Sequence, residues 1–330
     1  MSFLTILWMA LILSLALQQV PAASAYPDVV TGILGIDVLA LDRFLAANSN
    51  AVSLPVSLFS SSNLTAHILD VGQGDSILVQ FRGKNILIDG GEREMGSRVG
   101  SYLRDHGVSK IDLLVATHPH SDHIGGLLEV LDEFDVLKVL DCGQPHTSRT
   151  YEDFLTRIDH KEIPYQVADA GQRIDLHPDI EIEVLSPPAR RLGDDLNQNS
   201  IVLRIVYGRV AFLLMGDAGV EAEKAILSSG FEIKSDILKV GHHGSKSATG
   251  RSFLKRVKPR MSIISAGLGN SYGHPAAEII KRLQKSGSLI YRTDMQGTVD
   301  VTTDGTAIYI LTQAKGGAAK AAAVSQRAEA

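Results

Sequence analysis

The chain has 330 residues, 45% of them apolar, a formal net charge of −5 and a single cysteine, Cys142. That length buries one large core or two small ones. The charge argues against a protein that coats nucleic acid by bulk positive charge, and one cysteine excludes an intramolecular disulfide framework or a Cys-rich metal knot.

The chain opens with Met1 to Ala25, which reads as a secretory leader: Phe3 to Leu17 is almost wholly apolar and Ala23-Ser24-Ala25 fits a small-x-small cleavage site. The basic n-region is missing and the apolar run is short for a membrane span. A cleaved leader is the first expectation, placing the protein in a secreted or periplasmic setting. An uncleaved membrane anchor is the alternative, and membrane contact is expected only in that case. Residues 26–63 read as a linker or amphipathic segment. Residues 64–312 carry the folded domain, and residues 313–330, rich in Ala, Gly, Lys and Ser, read as a disordered tail.

Within the domain, Leu64 to Asp70 reads as a strand, and the glycine-punctuated turn Val71 to Ser76 follows. Ile77 to Phe81 and Asn85 to Asp89 form a hairpin about Arg82-Gly83-Lys84. A helix spans Gly96 to His106 and stops at Gly107. The strand Lys110 to Ala116 ends at Thr117, and Gly125-Gly126 opens a helix from Leu127 to Phe134. A strand near Val136 to Leu140, a helix near Arg149 to His160 and short strands about Tyr165, Ile174 and Ile180 to Leu185 come next. Ile201 to Val206 and Val210 to Met215 form a second hairpin that ends in Gly216-Asp217. The helix Val220 to Ser229, the strand Asp236 to Val240, a helix near Ser252 to Val257, the strand Met261 to Ser265, the helix Pro275 to Lys285 and three terminal strands complete the domain.

Between Thr117 and Gly125 lie His118, His120, Asp122 and His123. Imidazole and carboxylate are the usual ligands of zinc, manganese and iron. A strand that ends in a tight loop lets such side chains converge: His118 and His120 on one metal, Asp122 and His123 on a second. The arrangement has an internal echo. A hairpin ending in Asp89 leads to DLLVATH and His118; a hairpin ending in Asp217 leads to DILKVGH and His242. Two β-rich halves with helices outside would bring both strand ends to one seam.

The run DLLVATHPHSDHIGG resembles the signature of the metallo-β-lactamase superfamily of metal-dependent hydrolases. LDVGQGDSILV (Leu69 to Val79), LKVGHHGSKSA (Leu238 to Ala248), NSYGHP (Asn270 to Pro275) and YRTDMQGTV (Tyr291 to Val299) are similar to the hydrolase domain of ComEC-type competence proteins. The resemblance covers roughly Leu64 to Leu311. It lacks the multi-span channel segment of full competence proteins, so no role in DNA uptake follows from it. It implies an α/β fold, the four-layer αββα metallo-β-lactamase sandwich. It also implies two divalent metal ions, zinc or manganese, and phosphodiester hydrolysis with single-stranded DNA as a candidate substrate. No protein partner is implied.

Under that resemblance Asp217 is the bridging ligand, and a helix N-cap is its structural alternative. His242 or His243 completes the second metal: the echo favours His242, the His-Gly pair of the superfamily favours His243, and both stay open. Asp89 orients the ligand loop and Asp75 shapes the loop over the pocket, holding a ligand histidine. A bridging hydroxide is the nucleophile, and Asp122 can take its proton. His274 is a candidate phosphate contact or general acid. Ser245, Lys246 and Asn199 are candidate substrate contacts. The superfamily usually has a further histidine on the loop before the second hairpin; here that loop offers Asn197, Gln198 and Asn199, so the first metal site is poorer in nitrogen. His146 is the one remaining histidine placed to compensate. Lys239 to Arg260 contains Lys239, Lys246, Arg251, Lys255, Arg256, Lys258 and Arg260 and no acid, a basic rim suited to a phosphate backbone. The competing readings are another hydrolase on the same site (a phosphocholine esterase, lactonase or β-lactamase) and a binding module with a degenerate site.

Overall fold

The computed structural model describes residues 62–313 and 320–324. The expected leader and nearly all of the expected linker lie outside the described residues. No helix among the described residues is long and apolar enough to cross a membrane.

Two sheets pack face to face. The first half of the chain supplies β1 (Leu64–Ile68), β2 (Ile77–Phe81), β3 (Lys84–Ile88), a short β4 (Lys110–Ile111), β5 (Leu113–Ala116), β6 (Asp135–Val136), β7 (Val139–Asp141) and β8 (Tyr165–Val167). The second half supplies β9 (Ile180–Ser186), β10 (Val202–Tyr207), β11 (Val210–Leu214), β12 (Ile237–Lys239), β13 (Met261–Ile264), β14 (Leu289–Arg292), β15 (Val299–Thr303), β16 (Ile308–Thr312) and β17 (Lys320–Val324). The larger sheet runs β17-β16-β15-β1-β2-β3-β5-β7-β8, and the smaller runs β14-β13-β12-β11-β10-β9. Helices α1 (Gly96–Asp105), α2 (Leu127–Glu133) and α3 (Arg149–His160) cover the first sheet. Helices α4 (Val220–Ser229), α5 (Arg251–Val257) and α6 (Ala277–Lys285) cover the second.

Strand alternation makes this layering. In β1, Leu64, Ala66 and Ile68 point between the sheets, where they meet Ile182, Val184, Leu203, Ile205 and Phe212 of the other sheet. From the opposite faces, Leu78, Leu87 and Leu114 meet Val99, Leu127 and Phe154 of the helices, while Leu213 and Leu238 meet Ala222, Leu254 and Ile279. The result is the expected αββα sandwich.

The internal echo is structural. Asp112 Oδ2 accepts from the backbone N of Asn85 at 3.0 Å, and Asp236 Oδ2 accepts from that of Ala211 at 3.1 Å. Each aspartate thus anchors the strand that follows it to the preceding hairpin. Asp112 also breaks the expected strand Lys110 to Ala116 into β4 and β5, and the expected strand near Val136 splits likewise into β6 and β7. About Ile174 there is only an isolated bridge, Arg173 to Glu183. Within the expected disordered tail, Lys320–Val324 forms β17 and pairs antiparallel with β16. Edge pairing draws on backbone hydrogen bonds that apolar periodicity does not reveal.

Candidate metal centre

The hydrophobic β5 carries the chain to Thr117, and the single helical turn Ser121–Ile124 reverses it, so that His118, His120, Asp122 and His123 come together in one cluster. The turn is held from below by a close glycine contact. A Cβ on Gly74 would collide with the Asp122 carbonyl, and Asp75 N donates to that same carbonyl at 3.2 Å. From the other sheet, β11 delivers Asp217 and β12 delivers the loop of His242 and His243. Both histidines adopt left-handed backbone (φ 48° and 52°), an uncommon state for these residue types.

Asp89 sits beneath the cluster, fully buried. Its Oδ1 accepts from Thr117 N at 2.8 Å, and its Oδ2 accepts from the Thr117 hydroxyl at 2.6 Å and from His123 Nδ1 at 2.7 Å. With the Nδ1 hydrogen committed, His123 turns its Nε2 lone pair toward Asp217 and Asp122. The Thr117 hydroxyl spends its hydrogen on Asp89, so its oxygen accepts from His118 Nδ1 at 3.2 Å, which likewise frees His118 Nε2. His243 is fixed in the same sense, donating Nδ1–H to the Ser265 carbonyl at 3.1 Å.

The freed atoms converge. His243 Nε2 lies 3.4 Å from both Asp122 Oδ2 and Asp217 Oδ1, and His123 Nε2 lies 3.4 Å from Asp217 Oδ1. His123 Nε2, His243 Nε2 and Asp217 Oδ1 are buried with no hydrogen-bond partner. On the other side of Asp217, His118 Nε2 is 3.9 Å from Oδ2 and 2.9 Å from His120 Nδ1. Ligands about 2.0–2.1 Å from a tetrahedral zinc stand roughly 3.3 Å apart, so the 3.4 Å separations about Asp217 Oδ1 and Asp122 Oδ2 fit a shared cation better than direct hydrogen bonds. Leaving such atoms buried without a partner costs about 1–3 kcal/mol each, a debt that a bound cation removes.

The electrostatics point the same way. Burial disfavours charge on Asp217 and Asp122, but the surrounding imidazoles outweigh it and hold both carboxyls below the usual carboxylate range. Burial also disfavours charge on His123 and His243, yet Asp217 and its neighbours push both well above the ordinary histidine value. The carboxylates of the cluster thus favour positive charge beside them, and a divalent cation would enter by displacing protons from the imidazoles. His118 lacks such a surplus; burial and His123 push it well down.

His242 and His243 part company here. His243 is buried inside the cluster. His242 is half-buried, bonds Ser247 Oγ through Nδ1 at 3.1 Å and stands 3.7 Å from Asp217 Oδ2. The left-handed loop turns His243 inward to Asp217 Oδ1 and leaves His242 on the Oδ2 side. Asp75 Oδ1 stands 3.4 Å from His243 Nδ1, and its Oδ2 bonds Lys239 Nζ at 2.6 Å. Lys239 is thus buried beneath the site, a correction to its place in the basic rim: β12 alternation points it between the sheets, as it does Ile237.

Asn199 is also corrected. It is fully buried, its Oδ1 accepting from Leu192 N at 2.7 Å and its Nδ2 donating to Gln144 Oε1 at 2.8 Å, so it holds its loop together and offers nothing to a substrate. Beside it, Ser200 Oγ accepts from Asp217 N at 3.3 Å, a positioning contact that the sequence reading missed, as it missed Thr117. Ser245 is half-buried with its Oγ 3.0 Å from Ser247 Oγ, and Lys246 is exposed. The His274 ring centre lies 5.6 Å from that of His242 and 6.4 Å from that of His243, and its Nδ1 has no partner. His146 stands edge-on to His120 at 6.3 Å.

Residues 69–267, a stretch that holds every member of the cluster, match the family described as the metallo-beta-lactamase superfamily, whose members are generally metal-dependent hydrolases. The chain is 31% identical over 258 residues to ComE operon protein 3 of Bacillus subtilis, covering 72% of this chain and 33% of that protein. It is 29% identical over 287 residues to Competence protein ComA of Neisseria gonorrhoeae, covering 84% and 39%. The chain thus spans about a third of the length of these curated relatives. Among solved structures, Igni18, a metallo hydrolase from Ignicoccus hospitalis, aligns at a TM-score of 0.49 with 19% identity, covering 72% of this chain and 98% of that one. With the family match over residues 69–267 and the relative at 31% identity, the chain belongs to the metallo-beta-lactamase superfamily, and its relatives there include competence proteins of the ComEC type.

Proposed function

We propose that the chain is an exported, metal-dependent phosphodiesterase that acts on nucleic acid strands, single-stranded DNA first among them. One observation carries the reading. Buried imidazole and carboxylate atoms without partners converge beside a loop that presents the Ser245 and Ser247 hydroxyls and the exposed Lys246 ammonium. Export is supported by the apolar run Phe3 to Leu17 and the small residues Ala23 to Ala25.

His118, His120 and Asp217 would hold one divalent cation, and Asp122, His123, His243 and Asp217 a second. This oxygen and nitrogen donor set suits zinc or manganese. Such cations supply Lewis acidity toward a phosphoryl oxygen and lower the pKa of water. The chain's own residues do the rest. Asp89 and Thr117 fix the tautomers of His123 and His118; Asp75 and the Ser265 carbonyl hold His243. Asp122 stays ionised across the neutral range, which supports ligation over proton storage. His274, with Nδ1 unpartnered, stands where a proton can be taken from or returned to a reacting oxygen. Ser245 and Lys246 follow His243 on the same loop, where hydroxyl and ammonium donors would suit phosphate oxygens.

The test is a substrate panel given to the metal-loaded protein: linear single-stranded DNA, a small chromogenic phosphodiester, a chromogenic cephalosporin and a lactone. Cleavage of the DNA supports the reading. Cleavage of the small ester alone narrows it to small phosphodiesters, and turnover of only the cephalosporin or the lactone overturns it.

A further inference from the structure

Three cations of the expected basic rim, Arg251, Lys255 and Lys258, lie on the outer helical layer. A groove of about 680 Å³ runs between α5 and α6, with Arg251, Lys255 and Lys258 on one side and Lys281, Arg282 and Lys285 on the other. We propose that this groove binds consecutive backbone phosphates of a nucleic acid strand whose reacting phosphate occupies the metal centre.

The placement follows from topology. Strands β12, β13 and β14 are parallel neighbours, and α5 and α6 are the crossovers that join them. Both helices therefore begin at the sheet edge that bears the His242–His243 loop and the His274 loop, and both run away from it. The groove continues outward from the rim of the site. Its head is tied to that rim, since Arg282 Nη1 donates to the Thr249 carbonyl at 2.7 Å, on the loop that carries Ser245 and Lys246.

The charge is arranged rather than scattered. Arg251 and Lys255 are one helical turn apart on α5, Lys258 follows at its C-terminal end, and Lys281 and Lys285 are one turn apart on α6 with Arg282 beside them. Glu278 is the one acid of the lining, and Arg282 Nη2 already engages it at 2.6 Å. The other five cations are exposed and enter no ion pair among the described residues. Like charges facing one another across a groove repel, and in a chain of net charge −5 they are not a by-product of basic composition. A polyanion compensates them. At 1.5 Å per residue these helices offer roughly 10–13 Å of contact, long enough to meet more than one backbone phosphate. A strand of linked phosphates fits this geometry better than one small anion. The identity of the anion rests on the phosphodiesterase reading; the place of the groove does not.

The experiment measures binding without turnover. The full chain, in excess chelator, is titrated into a fluorescent single-stranded oligonucleotide of about 20 nucleotides, between about 50 and 200 mM salt. Three proteins are compared: the wild type, a groove variant (Lys255→Gln with Lys285→Gln) and a control of equal charge (Lys110→Gln with Lys224→Gln). Thermal unfolding checks that each is folded. Counterion release at about 0.7 per cation on single strands lowers the groove variant's salt slope by roughly 1.4, which weakens binding on the order of 25-fold at 0.1 M salt. The control should bind like the wild type. The proposal is overturned by equal binding of groove variant and wild type, by an equal loss in the control, or by no binding at all. It is also overturned if the groove variant loses only its affinity for phosphatidylglycerol vesicles, which would assign the surface to a membrane. Failure of DNA hydrolysis with metal present would sink the phosphodiesterase reading and leave this binding result standing; unchanged binding beside intact hydrolysis would do the reverse.

Discussion

Replacing Lys239 by methionine should be among the most costly single changes in the protein away from its large apolar side chains. Lys239 Nζ and Asp75 Oδ2 are 2.6 Å apart, and their side chains keep 1% and 2% of their exposure. Methionine fills much of the same space but leaves Asp75 buried without its cation. Removing one partner of such a pair typically costs about 3–5 kcal/mol. The Asp75 carboxyl gives a second route to the magnitude. Burial pushes its pKa up, but Lys239, followed by His243, pulls it down to about 2 from an ordinary 3.8. A depression of about 1.8 units is worth roughly 2–3 kcal/mol at 1.36 per unit. Both routes give about 3 kcal/mol, or roughly 6–12 °C in melting temperature for a domain of this size. The assay is urea unfolding of the metal-stripped protein at neutral pH, with Lys239→Met, Asp75→Asn and the double variant forming a cycle. The double variant should recover most of the loss, since no uncompensated charge remains. The sign of the pH effect follows: a depressed carboxyl pKa contributes stability that is present above about 3.8 and is lost as pH falls toward 2. The gap between wild type and Lys239→Met should therefore narrow as the pH falls through that window. A loss under about 1 kcal/mol for Lys239→Met, or no recovery in the double variant, would refute the reasoning.

Three further outcomes follow from the same contacts. Asp89→Ala frees both His123 and, through Thr117, His118 to turn, so calorimetric titration should show divalent affinity reduced about 10–100-fold; unchanged affinity would mean the tautomers are set elsewhere. His243→Ala should lower divalent affinity far more than His242→Ala, because only His243 places its Nε2 within 3.4 Å of both Asp122 and Asp217; equal losses would contradict that division. Glu223 is buried against the Thr249 and Gly250 backbone N–H groups, and burial raises its pKa to about 7. A raised carboxyl pKa gives stability that is present below about 4.5 and lost as pH rises through about 7, so Glu223→Gln should gain on the wild type by about 3 kcal/mol across that window. A stability difference that does not vary with pH would contradict it.

Much of this was legible in the sequence wherever the signal was local. Arg149–His160 has a serine in front, and Ser148 Oγ accepts from Tyr151 N at 3.3 Å; Val220–Ser229 stops at Gly230, which takes the left-handed state (φ 83°) that glycine tolerates. The ligand-type residues His118 to His123 were legible because strand and loop are adjacent in the chain. What escaped was the direction of side chains whose partners are remote. Lys239 reads as one more rim cation until its partner Asp75 is brought to it from the other sheet. Asn199 reads as a site residue until its loop closes over it. His242 and His243 cannot be separated by spacing because a left-handed loop backbone, not a strand, decides which ring turns inward. The α6 half of the basic groove gives no signal as a motif; it becomes one only when α5 lies beside it.

The most direct test of the central claim is the rate of phosphodiester hydrolysis by metal-stripped protein as zinc or manganese is added back, with Asp217→Ala in parallel. The account expects no rate without metal, a rate restored by the cation, and none in the Asp217→Ala protein, because Asp217 offers Oδ1 to one half of the cluster and Oδ2 to the other. Hydrolysis that survives chelation, or that proceeds equally in Asp217→Ala, would contradict it.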